Sequence, residues 1–243
     1  MNRGYTVSIC IATYNGEDFI AAQIQSVLKQ LTDNDEIIIS DDGSSDATLS
    51  IVASLQDKRI KIYHNTLKKG PVGNFENSLL HASGDILFLC DQDDTWLENK
   101  IESHLNMHNK FDLVISNAIV VDQSKNILFD SFFNQRRSKK GLLNNLMKNS
   151  YIGCCMSFNR KILLKALPFP KDIHMHDWWI GLVAELIGSV YFLKEPMMYY
   201  VRHDNNASDT LVKTLPFHEQ LSNRLILAKN LFLLKLTNSK IKK

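Results

Sequence analysis

No run of eighteen or more apolar residues occurs in this 243-residue chain, which excludes a membrane-spanning helix. The first apolar run, Val7–Ala12, is cut off by Thr13-Tyr14-Asn15 and reads as a strand, not as the core of a signal peptide. No Gly-x-Gly-x-x-Gly follows it. The residues there are Ala12-Thr13-Tyr14-Asn15-Gly16-Glu17, which argues against an NAD or FAD enzyme, and no Walker A loop is present. The four cysteines, Cys10, Cys90, Cys154 and Cys155, lack metal-ligand spacing and read as small core residues in a reducing cytoplasm. His104 and His108 lie four apart with no second pair to complete a zinc site, so their helix face reads as solvated.

Neither sign of charge dominates: 28 basic against 26 acidic residues give a net charge of +2. The balance hides an asymmetry. Phe217–Lys243 carries six basic residues and one acid, which leaves the rest of the chain at −3. The main body is therefore a poor nucleic-acid binder, while the tail suits an anionic surface. No internal repeat or linker is evident, and the length fits one full core.

What is present is an alternation. Val7–Ala12, Glu36–Ser40, Arg59–Asn65, Asp85–Cys90 and Asp112–Asn117 read as strands. Helical spacing falls between them, over Glu17–Gln30, Asp46–Leu55, Asn74–Ala82 and Thr95–Asn109. Apolar strands separated by helices imply parallel pairing with cover on both faces, the doubly wound α/β class. Beyond residue 122 the pattern loosens. Asp122–Lys140 is polar, with Arg136-Arg137-Ser138-Lys139-Lys140 expected as an exposed loop. Tyr151–Phe158 reads as a strand, Lys161–Leu167 and His176–Gly188 as helices, and Val190–Leu193 and Met197–Val201 as strands.

Two acid clusters end two of these strands. Asp91-Gln92-Asp93-Asp94 puts three carboxylates in four positions, where mutual repulsion favours neutralisation of one of them or a bound cation. Mg²⁺ and Mn²⁺ take such oxygen ligands together with substrate phosphates, so the cluster reads as a metal-diphosphate site. The competing reading is an acidic turn that caps the next helix. Asp41-Asp42-Gly43-Ser44-Ser45-Asp46 follows the second strand; it either shapes a turn or accepts a hydrogen bond from a base or ribose.

Taken in order, Ser8–Glu17, Glu36–Asp46 and Gly84–Asp94 resemble the signature of glycosyltransferase family 2. The likeness continues more weakly through Gly153–Met156, His176-Asp177-Trp178-Trp179 and Tyr200–His203. With Gly70-Pro71-x-x-Asn74-Phe75, the set is similar to bacterial enzymes that build O-antigen and capsule repeats, rhamnosyltransferases among them. The resemblance implies a GT-A fold, that is, a mostly parallel doubly wound sheet. It also implies inverting transfer from a nucleotide-diphosphate sugar that depends on Mn²⁺ or Mg²⁺.

The resemblance also implies roles. Ala12 and Tyr14 would line base and ribose, Asp42 would meet a uracil-type N–H, and Asp91 would touch ribose or sugar. Asp93 would hold the metal, with His203 as a further ligand, and Asp94 would contact the donor sugar or support its neighbour. Asp177 looks like the base. A helix cap at the same position is compatible with that role, and the helix dipole is expected to keep this carboxyl ionised and weakly basic. Trp178 is the candidate platform for the acceptor.

The resulting expectation is sugar transfer, UDP-glucose or UDP-galactose first and dTDP-rhamnose next, to a saccharide on a polyprenyl diphosphate at the cytoplasmic face of a bacterial plasma membrane. Two alternatives stand beside it. Nucleotidyl transfer on a related scaffold lacks the Gly-rich, Lys-containing loop it needs after the first strand. A catalytically silent assembly partner is disfavoured because Asp42, Asp91, Asp93 and Asp177 are all present. The organisation expected is a transferase domain over 1–216, with 1–122 for the donor and 123–216 for the acceptor. A basic amphipathic helix over 217–243 would then dock on a membrane, or pack on its own domain or on a second subunit of a homodimer.

Replacing Asp93 with alanine is expected to abolish metal-dependent donor binding while leaving the fold intact, because it removes a like charge from a crowded cluster. Calorimetric titration with nucleotide sugar, with and without Mn²⁺, checks this. Unchanged, chelator-sensitive affinity would remove Asp93 as a ligand.

Overall fold

In the computed structural model, which describes residues 4–202 and 216–240, β1 (Val7–Thr13), β2 (Glu36–Asp41) and β4 (Ile86–Asp91) are buried along almost their whole lengths. Strands apolar at successive positions bury both faces only at the centre of a covered sheet. That is where they lie. β1 pairs in parallel with β2 and β4, and β2 pairs in parallel with β3 (Ile60–His64) at the edge. The connecting helices are α1 (Ile20–Leu28), α2 (Thr48–Ser54) and α3 (Pro71–His81).

The second half adds β5 (Thr95–Trp96), α4 (Lys100–His108), β6 (Leu113–Asp122), β7 (Ile127–Phe129), α5 (Phe132–Arg136) and α6 (Leu142–Met147). A 3₁₀ turn at Gly153–Cys155 leads into β8 (Met156–Asn159), followed by α7 (Arg160–Ala166), α8 (His176–Ile187), β9 (Val190–Arg202) and α9 (Phe217–Lys240). Among the described residues the sheet runs β3-β2-β1-β4-β8-β6-β9-β5, with β7 alongside β6. β8 is antiparallel to both β4 and β6, and β9 returns parallel to β6.

Several expectations shift. The helix expected over Thr95–Asn109 begins only at Lys100, because Thr95 and Trp96 pair with Tyr199 and Met198 as β5 and Asn99 turns left-handed at φ 63°. Val190–Leu193 and Met197–Val201 are one strand, β9. Its register slips where Pro196, which has no N–H to donate, faces Asn117. The Asn117 side chain patches the gap by donating to Lys194 O and Ser131 Oγ. The polar stretch after Asp122 contains β7 and α5.

His104 and His108 are buried, not solvated. His104 Nδ1 lies 2.7 Å and His108 Nε2 2.8 Å from Ser157 Oγ, so a hidden hydroxyl takes the place of water. Burial pushes both imidazoles down, His108 to about 4, which keeps them neutral.

α9 packs on α6 and α8 through Leu227 and Leu231, and Arg224 donates twice to Met147 O. Leu221 and Leu225 point outward. The apolar positions are thus divided between two sides, because at about 3.6 residues per turn Leu225 and Leu231 are far from one another around the axis.

Glu36 ties the opposite ends of the central strands together, accepting from Ser8 Oγ, Ser83 N, Ser83 Oγ and Lys61 Nζ. Burial alone would raise its carboxyl, but these hydrogen bonds outweigh burial and hold it at about 2. Its contribution is full above the ordinary value of 4.5 and is lost as pH falls through about 2. Glu36→Gln is expected to lower unfolding free energy by about 1–3 kcal/mol at neutral pH. In urea melts the gap from the wild type should close on acidification through that window.

Candidate active site

The carboxyl ends of β1, β2 and β4 lie side by side, with Ala12 paired to Ser40 and to Asp91. This is the edge where open α/β sheets receive ligands. Asp41 serves its own turn, accepting from Gly43 N, Ser44 N and Thr13 Oγ1. Asp42 is half-buried and fixed from two sides, by Asn65 Nδ2 and by Gly70 N, both at 2.7 Å. Gly70 there takes φ 97°, a conformation natural to glycine.

Tyr14 is 57% exposed, but its backbone is clamped. Tyr14 N donates to Gln92 Oε1 at 3.0 Å, and Gln92 Nε2 donates to Tyr14 O at 3.1 Å. A Cβ on Gly16 would lie 2.4 Å from Gln92 Oε1, so a side chain there would push Gln92 out of its clamp. Asn74 Nδ2 donates to Thr13 O. Gln92 and Asn74 were visible within the quoted motifs, yet their work as amide clamps is a tertiary matter.

Asp91 and Asp93 are half-buried, while Asp94 is 2% exposed. Asp94 Oδ1 accepts from Val201 N at 3.0 Å, whereas its buried Oδ2 has no partner. Donor atoms of Asp91, Asp94 and Cys154 lie within 4.8 Å of one another. Burial, then the charges of Asp93 and Asp177, pushes the Asp91 carboxyl up to about 7. Burial, then Asp93 and Asp91, pushes Asp94 well up too. The Cys154 thiol is also held protonated by burial.

Lys100, fully buried, donates to Cys154 O at 2.7 Å and lies 4.3 Å above the Trp96 ring. It offsets part of the acid charge at Asp91. Nothing local marks a lysine at a helix start as buried, and the sequence reading passed over it.

The orphaned buried oxygen and the crowded carboxylates fit a hard divalent cation. Asp91 and Asp94 supply the converging oxygens, while Asp93, the expected ligand, lies outside that 4.8 Å group and is felt at both acids through its charge. His203, the other candidate ligand, lies outside the described residues.

Asp177 stands in the first turn of α8, 6% exposed, and its charge is felt at Asp91. Its Oδ2 accepts from Gly153 N at 3.2 Å and its Oδ1 from Trp178 N at 2.6 Å. Burial raises the carboxyl to about 6, against the pull of those hydrogen bonds and of the Arg136 guanidinium. The helix terminus was expected to hold this carboxyl low; desolvation outweighs it and the carboxyl is raised instead.

Arg136, expected in an exposed loop, closes α5 half-buried and its charge reaches Asp177. His176 stacks on Phe75 at 4.2 Å and is neutral, its imidazole lowered to about 3 by burial. A Cβ on Gly153 would come 3.2 Å from His176 Nε2 and 3.5 Å from Asp177 Cβ.

Trp178, the expected platform, is packed instead, 9% exposed with its indole N–H on Asn145 O. Trp179 likewise donates to Ala166 O. Stacking a sugar needs an open ring face, and both rings are enclosed.

A mixed α/β sheet with an acid cluster at its parallel edge and a buried carboxylate beside it defines the nucleotide-sugar transferase class of GT-A enzymes. More particularly, the chain belongs to glycosyltransferase family 2, whose profile matches residues 8–167. It is 35% identical over 180 residues to the UDP-Glc:alpha-D-GlcNAc-diphosphoundecaprenol beta-1,3-glucosyltransferase WfgD of Escherichia coli. That match covers 73% of this chain and 69% of the relative.

The crystal structure of S. aureus TarS 1–349 with UDP-GlcNAc superposes at a TM-score of 0.69 and 18% identity. It covers 91% of this chain and 66% of that one. The mannosyltransferase PcManGT of Pyrobaculum calidifontis, in complex with GDP-Man and Mn²⁺, superposes at 0.63 and 18% identity, covering 83% and 58%. The chain thus spans less than two thirds of these structural neighbours.

With metal saturating, kcat/KM is expected to fall on acidification below about 6, as Asp177 takes up a proton. Asp91, Arg136 and neutral His176 surround it and belong to the same profile. Asp177→Asn should lower turnover by about 10²–10⁴-fold, remove that acid limb and leave donor affinity unchanged. Near-normal turnover would place the base elsewhere. Glu185 is already engaged by Tyr151 Oη and Gly141 N, and Asp172 is exposed.

Proposed function

We propose that the chain is an inverting, metal-dependent glycosyltransferase. It would move glucose from UDP-glucose to a saccharide carried on a polyprenyl diphosphate, at the inner face of a bacterial plasma membrane in surface-polysaccharide synthesis. UDP-galactose and dTDP-rhamnose are the next donors in order. The observation that carries the reading is the buried base, Asp177, set beside a carboxylate cluster that needs a cation. The name of the WfgD relative, a beta-1,3-glucosyltransferase that uses UDP-Glc and a GlcNAc-diphosphoundecaprenol, supports glucose, the lipid-diphosphate acceptor and a beta linkage.

In this reading the half up to residue 122 holds the donor and residues 123–216 hold the acceptor. Asp42, already oriented by Asn65 and Gly70, receives the base N–H, with Tyr14 and Ala12 along base and ribose. Asp91 faces ribose or sugar, with Asp94 beneath it. Asp91, Asp93 and Asp94 would hold a divalent ion, which would supply positive charge to the leaving diphosphate.

Asp177 takes the proton of the acceptor hydroxyl. That oxygen forms its bond to the anomeric carbon from the face opposite the diphosphate. The anomeric C–O bond breaks, and its electron pair leaves on the nucleoside diphosphate. Enclosure of the site by Trp178 and Gly153 keeps Asp177 away from water, which sustains its basicity.

A panel of nucleotide sugars with Mn²⁺, read first by thermal stabilisation and then by transfer to a GlcNAc-diphospho-lipid, tests the proposal. UDP-glucose is expected to give the largest stabilisation and a beta-linked product by NMR. Stabilisation by no nucleotide sugar, or an alpha product, would overturn it.

A further inference from the structure

Leu87 of β4 and Leu113 of β6 both pair with Phe158, which sets the two strands level and parallel. Further along β6, Val121 pairs with Val201, whose N–H donates to Asp94 Oδ1 at 3.0 Å. The β6–β7 turn therefore leaves the sheet beside the carboxylate cluster, at the edge where open α/β sheets receive ligands.

Its turn is tightly held. Asn126 N and Nδ2 donate to Asp122 Oδ1 and Oδ2 at 2.8 and 2.9 Å, and Lys125 N donates to Asp122 O at 2.9 Å. Yet the strand it presents is bare: Ile127, Leu128 and Phe129 are 58%, 47% and 37% exposed. α6, in the same stretch of chain, leaves Leu143 75% and Met147 63% exposed. Three successive exposed apolar residues on an ordered hairpin are an unmet surface.

The charges around them have one sign. Residues 123–148 hold Lys125, Arg136, Arg137, Lys139, Lys140 and Lys148 against a single acid, Asp130. All of these cations except Arg136 are exposed. Apart from this segment and 217–243, the chain is net −8. An anionic plane would attract the segment and repel the body. No described helix is long and apolar enough to cross a membrane.

We propose that residues 123–148 dock on an anionic lipid bilayer. Ile127, Leu128 and Phe129 enter the interface, the lysines and arginines meet the headgroups, and the catalytic edge is turned toward the membrane. The role expected for the C-terminal helix thus moves to the hairpin and α6. The proposal shares its lipid-anchored acceptor with the proposed function, but its primary test contains no sugar, so either can fail without the other.

The full chain is pelleted with vesicles of phosphatidylglycerol and phosphatidylcholine, and with phosphatidylcholine alone. Binding is expected to the anionic vesicles only, weakened by salt. The triple variant Ile127→Ser, Leu128→Ser, Phe129→Ser should lower it about tenfold or more, as should Lys139→Glu with Lys140→Glu. Phe232→Ser with Leu233→Ser on the outer side of α9 should leave it unchanged. Thermal melts confirm that each variant is folded. Equal pelleting of wild type and triple variant, or no pelleting of either, overturns the proposal. A wild-type dimer that the triple variant splits, with vesicle binding unaltered, assigns the surface to a second copy instead.

Discussion

Everything at the catalytic edge answers to one constraint: Asp91 and Asp94 converge there, with the charges of Asp93 and Asp177 felt beside them. Two unit charges 4 Å apart repel by about 4 kcal/mol at an effective dielectric near 20, several times the value in water. The structure meets that repulsion with the buried ammonium of Lys100, the half-buried guanidinium of Arg136, and backbone N–H groups of Gly153, Trp178 and Val201. What remains uncompensated shows in the raised carboxyls of Asp91, Asp94 and Asp177 and in the unpartnered Asp94 Oδ2. The residual strain is a reservoir that a cation and a diphosphate can relieve together.

The scaffold around this cluster is fastened by neutral amides. Gln92 clamps Tyr14, Asn74 holds Thr13, Asn117 bridges the slip in β9, and Asn145 receives Ser150 N on its side chain and Trp178 Nε1 on its backbone. A charged clamp in any of these places would add a field to a site already dominated by fields. An amide gives direction without charge. His104, His108 and His176 follow the same logic, since burial keeps all three neutral beside the acids.

Much of this was legible before any coordinates. The apolar strands ending in Asp41-Asp42 and Asp91–Asp94 announced both the parallel sheet and the edge that carries the site, because burial on two faces leaves a continuous apolar signature. Asp177 was legible through its motif. Lys100, Arg136 and Gly153 were not, since a lysine at a helix start, an arginine in a polar stretch and a glycine before two cysteines have no local mark of burial. Trp178 misled for the converse reason: an aromatic beside a base can display its face or pack it, and only α6 decides which.

The sequence by itself therefore determined the alternation of strands and helices in the first half, the family, and which carboxylates end which strands. These depend on periodicity and on neighbours in the chain. The tertiary structure alone decided how basic Asp177 is, where the compensating cations stand, and which apolar residues stay uncovered. Desolvation and Coulomb interactions depend on groups distant in sequence: Lys100 under Cys154, Arg136 facing Asp177, and a hairpin set beside Asp94 by the pairing of Val121 with Val201.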